Sequence, residues 1–301
     1  MREYPVMIYL DHAATSPMRP GVWEAMEPFA VDNFGNSSGL HGVSRAAKNV
    51  LEEAREQLAA LIGAAPMEIV FTAGGTESDN LAVKGAVLSG TARGALVTSA
   101  IEHDAVLESA EFLRRGGTRV RLVGVDSEGR ADPEAVARAV DGDTTLVSIM
   151  LINNETGAIQ DLAAISAAVK RSNPDTLVHT DAVQAFASEP IDVGQLGVDL
   201  LTVSAHKFGG PKGSGFLYVR EGTALEPVIH GGGQELGRRS GTHDVAAAVG
   251  LATAAALAFE DRSRFRADVA SIRDRMEERL ETALPGLVVN TPKKGRSSHH
   301  L

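Results

Sequence analysis

The 301-residue sequence contains no cysteine. No disulfide framework, thiolate nucleophile or thiolate metal site can be built from these residues. Tryptophan occurs once, and positive charge is in deficit: 29 Lys and Arg against 39 Asp and Glu give a formal charge of −10. Such an acidic balance speaks against a protein whose main task is to grip the phosphate backbone of nucleic acid. Long hydrophobic runs are also missing. Val6-Met7-Ile8-Tyr9-Leu10 is too short for a signal-peptide core and passes straight into Asp11-His12. The longest apolar stretch, Val245 to Phe259, is mostly alanine, falls short of a membrane span and reads as a helix buried in protein. A cytoplasmic location without membrane contact is therefore expected. What remains, 44% hydrophobic and 23% charged residues with 31 glycines, is ordinary for a soluble globular protein. The apolar fraction excludes disorder as the main state, and the length allows one large domain plus part of a second.

Short apolar runs alternate with amphipathic stretches along the chain. The runs are Glu68–Phe71, Ala95–Thr98, Val120–Val123, Thr145–Met150, Leu177–His179, Leu200–Val203 and Gly215–Val219. Continuous runs of this kind fit strands covered on both faces, and the helical patterns between them, such as Asn80–Leu88 and Ala105–Arg114, give an α/β fold with a mainly parallel sheet. Only twelve residues, Ser204 to Gly215, lie between Val203 and Phe216, and they are rich in glycine and contain Pro211. That is too little for a helical crossover, so the last strand is expected to run antiparallel in a mixed seven-stranded sheet. Upstream, Ser44–Ile62 is an amphipathic helix stopped by Gly63. Downstream, a helical pattern from about Asp244 to Leu284 is alanine-rich in its first half and densely charged in its second. It suggests a helix that leaves the large domain to begin another. The expected division is an N-terminal arm over 1–16, a large domain over 17–259, and a linker helix with an incomplete small domain over 260–301. The tail, Thr291–Leu301, shows no apolar periodicity.

Polar clusters stand where several strands end. Thr72-Ala73-Gly74-Gly75-Thr76-Glu77 lies between a strand and a helix, where glycines admit an anion to unpaired amides at the helix start. It matches neither a nucleotide P-loop nor Gly-x-Gly-x-x-Gly, and it also fits a plain strand-to-helix turn. Ser204-Ala205-His206-Lys207 follows another strand; a lysine desolvated there loses its proton more easily, as Schiff-base formation requires. The same residues would suit a surface lysine near a turn. Asp181, in His179-Thr180-Asp181-Ala182-Val183-Gln184, could face a pyridinium nitrogen or simply cap a helix. Asn153-Asn154-Glu155 and Glu102-His103 end two further runs. His103 alone would suit a core position. Together, the clusters argue for one site along one edge of the sheet.

Several of these segments resemble the cysteine desulfurases. They are Tyr9–Thr15, Gly35-Asn36-Ser37-Ser38 with His41, Phe71–Ala82, Asn153–Gly157, His179–Gln184, Ser204–Gly213, His230–Glu235 and Arg239-Ser240-Gly241-Thr242. They occur in that family's order and cover roughly Tyr9 to Phe259. The resemblance implies a class V aminotransferase of pyridoxal phosphate fold type I. It implies that Lys207 attaches the cofactor, Asp181 keeps its ring nitrogen protonated, and His103 stacks on the ring and moves protons. Gln184 would bond the ring hydroxyl, and Gly75, Thr76, Ser204 and His206 would hold the phosphate, joined by Thr242 from a partner subunit. Asn154 would touch cofactor and substrate.

The resemblance implies L-cysteine as substrate, a homodimer, a sulfur-acceptor or iron–sulfur scaffold protein as partner, and no metal. The family's persulfide-forming cysteine and its carboxylate-binding arginine would lie beyond Leu301, so the chain is expected to be a member lacking the C-terminal part, with impaired sulfur transfer. Two alternatives stay open: a pyridoxal phosphate lyase or transaminase that needs no thiol, and a non-catalytic partner of a complete homologue.

Overall fold

The computed structural model describes residues 8–90 and 94–301. Val6, Met7 and the beginning of the expected 1–16 arm lie outside the described residues. Seven strands form one sheet: β1 (Ile69–Thr72), β2 (Ala95–Ser99), β3 (Arg119–Val123), β4 (Thr144–Ser148), β5 (Leu177–Asp181), β6 (Leu200–Ser204) and β7 (Gly215–Val219). Their order is β1-β7-β6-β5-β4-β2-β3. β7 is antiparallel to both β1 and β6, and all other pairs are parallel. The short link before β7 thus acts as its length requires: it turns the chain back instead of crossing over.

The helices are α1 (Val22–Val31), α2 (Gly42–Ile62), α3 (Gly75–Leu88), α4 (Asp104–Arg115), α5 (Pro133–Arg138), α6 (Leu162–Ser172), α7 (Val193–Leu196) and α8 (Val245–Ala283). Because strand side chains alternate, each strand feeds two cores. Val70, Leu96, Leu146, Leu200 and Leu217 pack with α3 and α4 on one face. Phe71, Val97, Val147, Leu201 and Phe216 pack with α1, α2, α6 and the first half of α8 on the other. One run departs from the sequence reading. Val120–Val123 was expected to be covered on both faces, but among the described residues β3 is an edge strand with β2 as its only neighbour in the sheet, and Leu122 is 61% exposed. An apolar run records strand propensity; it does not record position within the sheet.

The Asp244 side chain caps α8, accepting from the Ala247 amide at 2.9 Å. Its first half is buried, and Gly250 there lets α1 approach: a Cβ at that position would come within 2.4 Å of Met26 Sδ. Beyond Phe259 the helix is mostly exposed, with Glu277 buried. The tail after Thr291, without periodicity in the sequence, is nevertheless seated. Ile159 donates to the Gly295 carbonyl at 3.0 Å and Ser297 to that of Gly157 at 2.8 Å, while Arg296 pairs with Glu277 at 2.7 Å. Backbone bonds and ion pairs order this segment, and neither leaves a hydrophobic period.

A buried ionic knot joins the loop after β7 to α2 and β1. Glu235 accepts two bonds from Arg55 at 2.8 Å, one from the Phe71 amide at 2.9 Å, and lies 2.6 Å from His243 Nε2. It holds Glu235 and Leu236 in the left-handed region, at φ 50° and 60°. Burial alone would raise the Glu235 carboxyl; the Arg55 and His243 hydrogen bonds, the Arg55 charge and the Phe71 amide outweigh it and hold the group at about 2, below its ordinary 4.5. The stabilisation is therefore complete above that ordinary value and is lost as pH falls from it through the folded value. Glu235→Gln removes the buried one of Arg55's two carboxylate partners, leaving the half-exposed Glu52 at 3.0 Å, and should cost roughly 3 kcal/mol at neutral pH. Urea unfolding across acid pH checks this: the gap between the two chains should close as pH falls. A gap that is small at neutrality, or constant with pH, would contradict the reading.

Candidate active site

The carboxyl ends of β2, β4, β5 and β6 and the start of α3 enclose a cavity of about 260 Å³. In parallel α/β sheets this is the edge where ligands bind. Lys207 enters from the short turn after β6, Asp181 from the last residue of β5, His103 from the residue before α4, and Asn154 from the loop after β4.

Lys207 is clamped by the N-terminal segment, since its Nζ donates to the carbonyls of Ala13 at 2.5 Å and Ala14 at 3.0 Å. Gln184 Nε2 donates to the same Ala13 carbonyl at 3.0 Å, and His206 Nδ1 lies 3.1 Å from the Thr15 hydroxyl. The polypeptide from Ala13 to Ser16 is thus laid across the lysine turn. Burial lowers the Lys207 amine below its ordinary value, with the charges of Asp181 and Asp11 opposing. The amine is therefore released from its proton more readily than an exposed lysine, the condition for attack on an aldehyde. His206 is lowered by burial and by the cationic Lys207 and Lys212 nearby.

Asp181 is 6% exposed, and one of its oxygens accepts from the Val183 amide at 2.8 Å. Burial raises its carboxyl; the Val183 amide, His103 and Lys207 draw it back. His103 is fixed as the N-cap of α4, its Nδ1 accepting from the Ala105 amide at 3.1 Å. That bond leaves the ring proton on Nε2 when the imidazole is neutral. At the other end of the cavity, α3 presents its first amides beside Thr76, Ser204 and His206. Packing is close at the helix start: a Cβ on Gly75 would stand 3.0 Å from Val183 Cγ2, and that methyl would have to shift by a few tenths of an ångström. Unpaired amides, hydroxyls and an imidazole form a set suited to a phosphate dianion. Glu77, the acid in that first turn, pairs with Arg239 at 2.8 Å and accepts from the Ala73 amide at 3.0 Å.

Nine of the residues singled out in the sequence thus line one cavity: Gly75, Thr76, His103, Asn154, Asp181, Gln184, Ser204, His206 and Lys207. Thr242 does not; it borders a separate depression with Thr72, Ala73 and Arg239. Sequence reasoning missed three features. Asp79 lines the cavity from α3, and a signal existed, since Thr76, Asp79, Val83 and Ala86 share one helical face at spacings of three and four. The Ala13 and Ala14 carbonyls carry no side-chain signal at all. His299 borders a neighbouring cavity with His12 and Lys207, brought there by the seated tail. Among the described residues, no cluster of His, Asp and Glu could hold a metal ion.

Comparison with known proteins agrees with this arrangement. The pattern of the class V aminotransferases matches residues 8–301. The cysteine desulfurase IscS of Dictyoglomus turgidum is 43% identical over 295 residues, spanning 98% of this chain and 74% of that protein. Among solved structures, a NifS-like protein superposes with a TM-score of 0.93 at 39% identity, over 97% of this chain and 80% of that one. Another, SspA in complex with cysteine, gives a TM-score of 0.80 at 41% identity, over 83% of this chain and 72% of its own. By family pattern, sequence identity and superposition, the chain belongs to the pyridoxal phosphate-dependent class V aminotransferase family, in its cysteine desulfurase group.

Proposed function

We propose that this chain binds pyridoxal 5′-phosphate in the cavity and uses it to activate L-cysteine, the first half of a cysteine desulfurase reaction. The observation that carries the reading is the convergence of a desolvated amine, a buried carboxylate and a helix N-terminus with its hydroxyls on one cavity. The donor set fits the cofactor at both ends. Gly75, Thr76, Ser204 and His206 hold the phosphate, Lys207 supplies the amine for the aldehyde, and Asp181 keeps the ring nitrogen protonated. His103 would stack on the ring and relay protons, Gln184 would donate to the ring hydroxyl, and Asn154 would contact cofactor and substrate. When bound, the cofactor supplies an electron sink for negative charge developing at the substrate α-carbon.

The sulfur-accepting half needs a thiolate, and none of the 301 residues is a cysteine. Sulfur transfer is therefore impaired in this chain unless a thiol comes from elsewhere, such as a sulfur acceptor or iron–sulfur scaffold protein. The same absence favours a second reading, a pyridoxal phosphate lyase or transaminase that needs no thiol; a non-catalytic partner of a complete homologue is a third. Division into an arm (1–16), a cofactor-binding body (17–259) and a helix leading to a further domain (260–301) accompanies the first. Among the described residues no helix is long and apolar enough to cross a membrane; a cytoplasmic place is part of the proposal.

Thr242 completes the phosphate site of a second copy in this reading, which is supported by its position outside the chain's own cavity and by the exposed apolar Trp23, Phe34 and Leu40. Titration with pyridoxal phosphate, followed by visible absorbance, should saturate at one per chain. Thr242→Ala should weaken binding and Lys207→Ala should remove the spectral change. Mixing the two chains should restore a fraction of the sites, because a mixed dimer collects both lesions at one site and leaves the other intact. A monomer that binds at full strength would contradict the shared site, and no saturable change would contradict the function.

A further inference from the structure

Asp79 is the buried titratable group of the cavity to which the proposed function gives no role. It stands one turn into α3, is 1% exposed, and lines the same cavity as Asp181 and Lys207. Among the described residues, neither of its carboxyl oxygens has a partner at hydrogen-bonding distance and angle. His179 Nε2 stands 3.6 Å from one of them, but that imidazole offers no positive charge. Burial pushes His179 down to about 3, and its nitrogens are engaged by the hydroxyls of Ser148 at 2.8 Å and Thr202 at 3.1 Å. Alternation along β5 puts His179 and Asp181 on one face of the sheet, the face that α3 covers. Asp79 therefore sits over both.

Resting on the reading that this cavity takes pyridoxal phosphate, we propose that Asp79 is a positioning residue that keeps its proton, so that the cavity presents a single negative charge, on Asp181, to the cofactor's ring nitrogen. Carboxyl groups that share a buried space do not all ionise together. The proton stays on the acid with fewer donors. Asp181 has the Val183 amide and the nearby His103 and Lys207, whereas among the described residues Asp79 has only the approach of the Thr202 hydroxyl and faces the neutral His179. The third acid, Glu102, accepts from Ser99 at 2.5 Å and from the Met150 amide at 3.0 Å, yet burial still raises it to about 8. Burial and the Asp181 charge both push Asp79 up, with Glu102 adding to them and the Thr202 hydroxyl opposing. A second fixed negative charge under the ring would bind its nitrogen cation too, but it would be left uncompensated whenever the cavity held no cation. A neutral acid avoids that cost.

Asp79→Asn copies the shape and charge of the protonated acid. Its affinity for pyridoxal phosphate, and the pH midpoint of its visible absorbance, should stay within about twofold of the parent chain, while the control Asp181→Asn should lose roughly tenfold or more. Infrared spectra of cofactor-free protein with carbon-13-labelled aspartate should contain a neutral-carboxyl stretching band at neutral pH that Asp79→Asn removes. If Asp79→Asn does not fold, carbon NMR of the labelled parent chain should show an aspartate still protonated at neutrality. Tenfold weaker cofactor binding by Asp79→Asn, or aspartates that are all ionised at neutral pH, would overturn the proposal. Failure of the parent chain to bind cofactor would instead refute the functional reading, and the infrared result would still decide where the proton lies.

Discussion

Treated with pyridoxal phosphate and then borohydride, the parent chain is expected to retain one covalently bound pyridoxyl group, and the Lys207→Ala chain none. The effect is all-or-none because the bond needs a primary amine at one place. Lys207→Arg should be equally unreactive, although it keeps the positive charge near Asp181. The pH dependence follows from the direction of the shift. Burial lowers the Lys207 amine, so its neutral form is present at a pH where exposed lysines are still protonated. Labelling should therefore begin at lower pH than labelling of an exposed lysine in an unfolded control. The substitution also removes the bonds from Nζ to the Ala13 and Ala14 carbonyls, so the arm should loosen as the adduct is lost. Labelling of Lys207→Ala equal to that of the parent would contradict the assignment.

With L-cysteine, the cofactor-loaded chain is expected to form no protein-bound persulfide and to give alanine only when an added thiol accepts the sulfur. Desulfuration takes cysteine and a thiol to alanine and a persulfide; the thiol is the reactant that these 301 residues do not contain. In the proposed function, Lys207, Asp181 and His103 activate the α-carbon without it. The reaction left to them is β-elimination, in which cysteine and water yield pyruvate, ammonia and hydrogen sulfide. Product analysis by chromatography, with protein free of host desulfurase, separates these outcomes. Pyruvate and sulfide in equal amounts, formed slowly, are expected. Alanine formed at rates typical of enzymes, with no thiol but the substrate's own, would contradict this division of the chemistry.

Much of the architecture was legible because the strands that bear the site are apolar runs, each ending in a polar cluster. Asp181 ends one strand and Lys207, His103 and Asn154 lie in the turns and loops that follow others, so an α/β reading alone brings them to one edge. The antiparallel course of β7 was legible from the length of a single link. Other features depend on partners that a linear pattern does not record. Leu122 has the residues of a covered strand, but its strand has one neighbour in the sheet. Arg296 and Ser297 belong to a segment without periodicity, seated by Glu277 and the Gly157 carbonyl. The clamp on Lys207 consists of backbone carbonyls, which every residue possesses. Asp79 was legible in principle, as an acid on the buried face of a helix, yet beside the motif residues Thr76 and Glu77 it reads as one more polar position.

The most direct measurement is peptide mapping, by mass spectrometry, of the chain reduced with borohydride in the presence of pyridoxal phosphate. A single modified residue is predicted, Lys207, in the peptide that follows β6, with tryptic cleavage blocked after it. Modification concentrated on Lys84, Lys212 or another lysine, or spread over many of them, would contradict a cofactor site built around the end of β6.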